Sequence, residues 1–192
     1  MTTYKGINGF AVQSVATDPS PLDEGQVWYN NATYAFKLAS VTTAGTWASG
    51  GNLGTGRREL TGTGTQTATL AIGGITTTQV ANTEEYDGTS WAGGGNLATA
   101  RYRLASGGTQ TAAAAFGGII FTTFQNSTEE YNGTSWTVGG SLAIARRLPA
   151  GAGTQTAGLA FGGFTESSAN SAATEEYTNP SFAVKTITTS TS

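Results

Sequence analysis

Short apolar runs alternate with glycine- and threonine-rich segments along this chain, and the pattern repeats. Three apolar runs each end in a pair of glycines: Gly73-Gly74, Gly117-Gly118 and Gly162-Gly163. A polar loop after each pair leads to the sequence Thr-Glu-Glu-Tyr, which begins at Thr83, Thr128 and Thr174. Equivalent glycines lie 44 and then 45 residues apart. Self-similarity at such a period predicts an array of supersecondary units.

The middle repeat predicts four short antiparallel strands. They are expected at 101–109, 112–116, 127–131 and from Trp136 onward. Gly117 and Gly118 end the second strand and are expected at positive φ, which glycine adopts without steric cost. Asn132-Gly133 is a strong hairpin signal between the last two strands. Four antiparallel strands in a unit of this length are the pattern of one β-propeller blade.

Tryptophans recur with the same period and are predicted, with the diglycines, to form the core of each repeat. They are Trp47, Trp91 and Trp136. The next position in the series falls near Phe182, so an aromatic residue also closes the last repeat. Burial of such large side chains would offset the loss of contact area in glycine-rich strands.

The composition excludes several classes of function. Charged residues make up 11% of the chain, its net charge is −3, and its nine basic residues form no cluster, so we expect no nucleic-acid partner. There is no histidine and no cysteine, which removes the commonest general base and the usual zinc ligands. No apolar run could span a bilayer. We therefore expect no catalytic residue, no cofactor, no metal site and no membrane insertion.

Paired glutamates in the three repeats are the obvious candidates for acid–base chemistry, because two carboxylates can carry out glycoside hydrolysis. They are Glu84/Glu85, Glu129/Glu130 and Glu175/Glu176. Neighbours on a strand point to opposite faces, so one pair cannot share a site. Six arginines keep step with them: Arg57/Arg58, Arg101/Arg103 and Arg146/Arg147. Structural pairing of the six glutamates with the six arginines is the preferred interpretation.

The loops after the diglycines vary between repeats and are the better candidates for function. The middle loop is unusually apolar and carries four interface candidates: Ile119, Ile120, Phe121 and Phe124. An exposed apolar patch marks an interaction site. The alternative is a longer strand that packs within its own sheet, and the sequence leaves both open.

The recurring order resembles the Kelch repeat: a diglycine, a glutamate-bearing strand that ends in Tyr, an Asp/Asn-Gly turn, a Trp and a small-residue segment that ends in Arg. The resemblance covers residues 46–182 and implies four-stranded propeller blades. The low-complexity style, rich in Thr, Ala and Gly, resembles the Kelch-like arrays in structural proteins of marine bacteriophages. Residues 24–33 contain Gly-Gln-Val-Trp-Tyr-Asn and are similar to a hairpin common in phage tail and fibre proteins.

Three parts follow from this interpretation. Residues 1–24 are predicted to be an N-terminal arm or linker, 25–50 a β-hairpin segment that could supply a partial blade, and 51–192 three Kelch-like repeats. Closed propellers typically have 4–8 blades. The hairpin could complete a fourth blade, two chains could pool their blades, or an open array could dock on a neighbouring subunit. An oligomer is the favoured interpretation.

The resemblance implies a non-enzymatic virion protein in a tail, fibre or head-surface appendage. Its partners would be other virion proteins and further copies of the chain, and its propeller could contact host-surface glycans. Two alternatives stay open. One is a carbohydrate-binding or glycan-cleaving β-propeller, and the other is a Kelch-type adaptor that binds another protein.

Overall fold

The computed structural model describes residues 4–5, 11–21, 26–39, 45–167 and 169–179. Every regular element in these ranges is a β-strand, which confirms the all-β class for the described part. The chain divides into two compact units, residues 1–49 and residues 50–192. Within the described ranges, no helix is long and apolar enough to cross a membrane.

The N-terminal unit is a four-stranded sheet with its strands in chain order. Its strands are β1 (Tyr4–Lys5), β2 (Ala11–Val15), β3 (Val27–Asn30) and β4 (Ala35–Leu38). The β3–β4 hairpin matches the predicted one, whereas β2 pairs with β3 in parallel. Residues 1–24, predicted as an arm, therefore supply two strands to the hairpin's sheet. The β-branched Val12 and Val15 favour a strand there.

One carboxylate ties this N-terminal sheet together. Asp18 accepts hydrogen bonds from Lys37 Nζ at 2.7 Å, Asn30 Nδ2 at 2.7 Å and Trp28 Nε1 at 3.0 Å. These three donors, Lys37 first, lower the pKa of Asp18 to about 2. Trp28 is buried, so the tryptophan outside the repeat period has a local structural role.

The first repeat is the predicted four-stranded antiparallel sheet. Its strands, in sheet order, are β5 (Thr61–Thr65), β6 (Ala68–Ile72), β7 (Thr83–Tyr86) and β8 (Trp91–Gly93). Leu70 and Ile72 on β6 are completely buried. The Asp87 side chain accepts the backbone N–H groups of Ser90 and Thr89 in the turn before β8, and these bonds lower the pKa of Asp87.

The second repeat has the same four-stranded sheet and, in addition, a small hairpin. Its strands are β9 (Ala105–Gly108), β10 (Ala113–Phe116), β11 (Ile119–Ile120), β12 (Thr123–Phe124), β13 (Thr128–Tyr131) and β14 (Trp136–Val138). The sheet order is β9, β10, β13, β14, while β11 and β12 pair with each other. The four predicted strands are confirmed, although the first is shorter than the predicted 101–109.

The third repeat has a three-stranded sheet and a short strand pair within the described residues. Its strands are β15 (Arg146–Arg147), β16 (Ala150–Gly153), β17 (Ala157–Phe161), β18 (Phe164–Thr165) and β19 (Thr174–Thr178). The sheet order is β16, β17, β19, and β15 pairs with β18. The fourth strand predicted near Phe182 lies outside the described residues.

Successive repeats pack through their first strands, since β9 contacts both β5 and β16. A Cβ on Gly151 would lie 2.5 Å from the Ser106 carbonyl oxygen, so these strands approach backbone to backbone. The main buried cluster combines side chains of the first and second repeats, among them Leu70, Ile72, Leu104, Ala113, Tyr131 and Trp136. Small residues therefore allow the close contact, and the large side chains fill the space beside it.

The three tryptophans predicted as core residues differ in burial. Trp136 is buried and Trp91 is half-buried, and each packs on the tyrosine five positions earlier with ring centroids 4.9 Å apart. Trp47 is 103% exposed, so the prediction of a core position is wrong there. Residues 45–50 form no strand, and Trp47 therefore has no sheet of its own to pack on.

The six diglycine residues all have positive φ, between 61° and 105°, as the sequence predicted. A Cβ on Gly73 would lie 2.6 Å from the Arg101 carbonyl oxygen, and one on Gly117 would lie 2.9 Å from that of Arg146. These glycines are therefore required both by backbone conformation and by the close approach of the next repeat.

Candidate functional site

A buried ion pair occupies the same position in each repeat. The three pairs are Arg57–Glu84, Arg101–Glu129 and Arg146–Glu175. The guanidinium groups are 0–2% exposed, and each also donates to the carbonyl oxygen of the first glycine of its diglycine, at positions 73, 117 and 162. The arginine thus joins the segment that precedes its sheet to the turn and to the third strand.

The middle pair shows how completely these groups are satisfied. Arg101 Nη2 lies 2.6 Å from Glu129 Oε1, and Arg101 Nη1 donates to the Ser127 carbonyl oxygen at 3.0 Å. The Ala98 backbone N–H donates to the other carboxylate oxygen at 2.6 Å. Burial lowers the pKa of Arg101, and the Glu129 charge opposes that shift. Both carboxylate oxygens of Glu129 are thus engaged by donors of the protein itself.

The second glutamate of the first two pairs has a different partner from the one predicted. Glu85 accepts from the Tyr131 hydroxyl of the next repeat, and Glu130 accepts from the Tyr177 hydroxyl. Burial and the bond to Glu85 raise the pKa of Tyr131 to about 12. The prediction of six Glu–Arg pairs is therefore wrong for these glutamates. Adjacent side chains on β7 and β13 point to opposite faces, so one faces its own repeat and the other faces the next.

The second arginines of the three sets are Arg58, Arg103 and Arg147. They lie in segments that are next to the first residues of the three variable loops. Arg58 is exposed and 4.0 Å from Glu59, whereas Arg103 forms a two-point pair with Glu59 at 2.6 and 3.2 Å. The hydrogen bonds from Arg103 lower the pKa of Glu59. Arg147 contacts two aromatic rings, with its Cζ 5.2 Å from the centroid of Phe124 and 4.8 Å from that of Phe164.

We call this surface the loop face. It comprises the loops 75–82, 119–127, 164–167 and 169–173 with the segments 58–60, 102–104 and 147–149. Backbone pairing links each segment to its loop, as in Arg58 with Ile75 and Tyr102 with Ile119. The base of each loop is closed by two backbone bonds. The first glycine donates in one: Gly73 N–H to Asn82 O, Gly117 N–H to Ser127 O and Gly162 N–H to Ala173 O. The second glycine accepts in the other: Val80 N–H to Gly74 O, Gln125 N–H to Gly118 O and Ser171 N–H to Gly163 O.

The four interface candidates lie on the β11–β12 hairpin of the loop face, and they divide between the two interpretations. Ile119 is buried at 5% exposure, so it packs inside the protein. Ile120 and Phe124 are half-buried, and Phe124 contacts Arg147. Phe121 is 72% exposed at the hairpin tip with a φ of 51°. Only the tip therefore presents a free apolar surface.

An open groove of about 430 Å³ lies on the loop face. Its lining includes Glu59, Arg103, Arg147, Leu148 and Pro149. Arg147 Nε is buried and has no hydrogen-bond partner among the described residues. The groove therefore combines guanidinium donors with apolar walls, which suits a carboxylate- or hydroxyl-bearing partner.

Sequence reasoning missed the residues that shape this groove. Glu59, Arg103 and Leu148 all have positive φ, between 54° and 57°. Such values are uncommon for residues other than glycine. These three residues are spaced by the repeat period, and this spacing could have identified them as equivalent positions. Their side-chain types do not predict the positive φ. Among the described residues, no group of three or more acidic, His or Cys side chains could hold a metal ion.

Comparisons with known proteins identify a fold but no family. No family model matches the chain, and no curated protein matches it. A solved structure titled "Structure of YjhT" matches with a TM-score of 0.57 at 12% sequence identity. The match covers 77% of this chain and 47% of that chain. The chain thus spans about half the length of that structure, and at this identity the similarity concerns the fold.

Proposed function

We propose that this protein is a non-enzymatic structural component of a bacteriophage particle, with its repeats serving as blades of a Kelch-like β-propeller. Antiparallel sheets packed through their first strands support the blade arrangement. The low-complexity repeats, and the N-terminal hairpin that is similar to those of phage tail and fibre proteins, support the particle. The propeller body would serve assembly, and its loop face would contact other virion proteins or host-surface glycans.

The observation that carries the non-enzymatic proposal is how the repeated glutamates are used. Glu84, Glu129 and Glu175 each bind a buried guanidinium, while Glu85 and Glu130 each bind a tyrosine of the next repeat. Glycoside hydrolysis needs two carboxylates that face one substrate, one of them able to hold a proton. Hydrogen bonds from Arg57 and Gly54 outweigh the effect of burial and lower the pKa of Glu84, which opposes a general-acid role.

The test is quantitative mass spectrometry of particles purified on a density gradient from a culture that expresses the chain. We expect the chain to follow the particle peak in a fixed ratio to a capsid or tail protein. A host cytosolic enzyme, measured in the same fractions, serves as the control and should be depleted. Loss of the chain from the particle peak would contradict the proposal.

A glycan-binding propeller is the second candidate, favoured by Arg147, which lines the groove and also contacts the rings of Phe124 and Phe164. Guanidinium donors beside aromatic rings can bind acidic sugars. A glycan array probed with the wild type and with Arg147→Gln tests this candidate, because the substitution removes the guanidinium that lines the groove. Arg58→Gln makes the same change at an exposed arginine outside the groove lining and should leave binding unchanged. An array without any signal would exclude the candidate.

A further inference from the structure

Neighbouring repeats are joined by a set of contacts that recurs with the repeat period. The backbone provides the first. The Gly74 N–H donates to the Arg101 carbonyl oxygen at 2.9 Å, and the Gly118 N–H donates to that of Arg146 at 2.9 Å. In both cases the second glycine of one diglycine binds the buried arginine of the following repeat.

A second backbone contact links the segments that precede the first strands. The Arg103 N–H donates to the Glu59 carbonyl oxygen at 2.9 Å, and the Leu148 N–H donates to the Arg103 carbonyl oxygen at 2.7 Å. The three residues share the positive φ noted above. Their unusual conformation therefore turns each N–H toward the preceding repeat.

Two side-chain contacts complete the set. The tyrosine hydroxyl of one repeat donates to the second glutamate of the preceding repeat, as Tyr131 does to Glu85. A glutamine in the turn after the first strand also donates to the preceding repeat, and its acceptor is a backbone carbonyl oxygen. Gln110 Nε2 donates to Tyr86 O, and Gln155 Nε2 donates to Tyr131 O, both at 2.6 Å.

The two ends of the array carry the unmatched halves of this set. At the third repeat, within the described residues, the Gly163 N–H, the Leu148 carbonyl oxygen and the Glu176 carboxylate have no hydrogen-bond partner. At the first repeat the same holds, within those ranges, for a complementary group of atoms: the Arg57 carbonyl oxygen, the Glu59 N–H, the Tyr86 hydroxyl and the Gln66 amide.

Burial changes at the third repeat in the same sense. Thr83 and Thr128 are buried at the start of their strands, but the equivalent Thr174 is exposed. Phe116 is 4% exposed, whereas Phe161 at the equivalent position is 39% exposed. A Cβ on Gly162 would find its nearest neighbour 3.8 Å away, in Ser171 of its own repeat. In the first two repeats this face is therefore covered by the following repeat, whereas in the third repeat it is exposed.

We infer that the third repeat of one copy binds the first repeat of a second copy, head to tail, through this same set of contacts. Glu176 accepts from Tyr86 of the second copy, and the Gly163 N–H donates to its Arg57 carbonyl oxygen. A second copy is the occupant because its first repeat carries each missing donor and acceptor in the register already used within the chain.

Two copies bring together six repeats, and closed propellers typically have 4–8 blades. Two head-to-tail joints then close a ring that leaves neither end open. This closure rests on the propeller part of the proposed function, whereas the head-to-tail contact stands on the inter-repeat bonds and needs no role in a particle.

Light scattering coupled to size-exclusion chromatography is the first test. The wild-type chain should elute with about twice its monomer mass of 19.5 kDa. A monomer at all concentrations would overturn the inference, and would indicate that residues of the same chain cover the two ends. A monomer that is nevertheless found in particles would leave the proposed function standing, so the two failures are distinguishable.

Charge substitutions then locate the joint. Glu176→Lys removes the acceptor, and Tyr86→Glu places two carboxylates together, so each variant alone should weaken association at least tenfold. An equimolar mixture should regain the dimer, because one joint is native and the other pairs Lys with Glu. Glu166→Lys makes the same charge change on an exposed loop residue and should remain dimeric.

Variants that stay dimeric, or a mixture that does not recover, would overturn the inference. Circular dichroism verifies that each variant retains its β-sheet spectrum. If a charged variant does not fold, Glu176→Gln and Tyr86→Phe replace it, since each removes one hydrogen bond with little change in shape. Together they should shift the dimer–monomer midpoint to higher protein concentration, and an unchanged midpoint would contradict the joint.

Discussion

At the scale of single residues, Arg101 is stable in the interior because its neighbours accept its hydrogen bonds. The guanidinium reaches Glu129, the Ser127 carbonyl oxygen and the Ser127 hydroxyl. A buried ion pair adds little net stability over an apolar replacement of the whole pair, but removal of one partner leaves an uncompensated charge. The buried pair therefore stabilises the fold only while both charged groups keep their partners.

Arg101→Met should lower the free energy of unfolding by about 3–5 kcal/mol, because the Glu129 carboxylate stays buried without its partner. Urea denaturation followed by tryptophan fluorescence measures the change. Arg58→Met is the control, since the Arg58 side chain is 71% exposed, and its effect should stay within about 0.5 kcal/mol. Equal losses of unfolding free energy for the two variants would show that the buried Arg101 contributes no more to stability than the exposed Arg58.

Tyr131 predicts a pH dependence on the alkaline side. Burial and the bond to Glu85 raise its pKa from 10.0 to about 12, so the folded state holds this proton more tightly than the unfolded chain does. Its contribution to stability is complete below pH 10 and is lost as the pH rises through about 12.

Tyr131→Phe should flatten the decline of the unfolding free energy in that pH window. Denaturant titrations at a series of alkaline pH values measure the slope. Tyr34→Phe, at an 82% exposed position, should leave the slope as in the wild type. A wild-type slope in Tyr131→Phe would mean that the hydroxyl keeps its ordinary pKa.

At the scale of elements, each diglycine turn ends the second strand and brings the chain against the next repeat. Gly117 combines a φ of 67° with a backbone oxygen 2.9 Å from the position of a Cβ. A left-handed conformation costs an L-residue about 1–2 kcal/mol by itself, and the close contact adds to that cost.

Gly117→Ala should therefore lower the free energy of unfolding by at least about 2 kcal/mol. Gly93→Ala is the matched control, because a Cβ on Gly93 of β8 would meet nothing within 4 Å, and its effect should be small or stabilising. Thermal unfolding of the two variants side by side is the measurement. A neutral Gly117→Ala would show that the turn can relax away from Arg146.

Period and turn residues were enough to predict the strands of the repeats and the conformation of the diglycines. They were not enough to assign the partners of Glu85 and Glu130, because those depend on how one repeat is placed on the next. Trp47 shares the period with Trp136 but lacks the strands that bury it. Ile119 and Phe121 are both apolar, and only the geometry of the hairpin determines that the first side chain is buried and the second exposed.

At the scale of the whole molecule, each repeat packs on its neighbour in chain order, and the stability of such an array comes from its units and from the contacts between them. Three repeats have two internal joints and two terminal faces. Within the described residues, the third repeat leaves the Gly163 N–H without a partner and Phe161 39% exposed, and an uncovered edge of a sheet favours association.

If copies join head to tail, thermal stability should depend on protein concentration. The equilibrium between one dimer and two chains shifts by about 1.4 kcal/mol for each tenfold change in concentration, so the wild-type midpoint should rise with concentration. Differential scanning fluorimetry over two decades of concentration measures this. Glu176→Lys should give a flat response, and a flat response of the wild type would count against the joint.

The backbone hydrogen bonds that close each loop base make loop length independent of sheet geometry. The loop is one residue longer in each successive repeat, yet the bond from the first glycine of the diglycine to the end of the loop persists in all three. Insertions are thus absorbed above a fixed base, out of reach of the ion pairs below. Each loop therefore offers a position at which a foreign peptide can be inserted while the sheet below keeps its strand pairing.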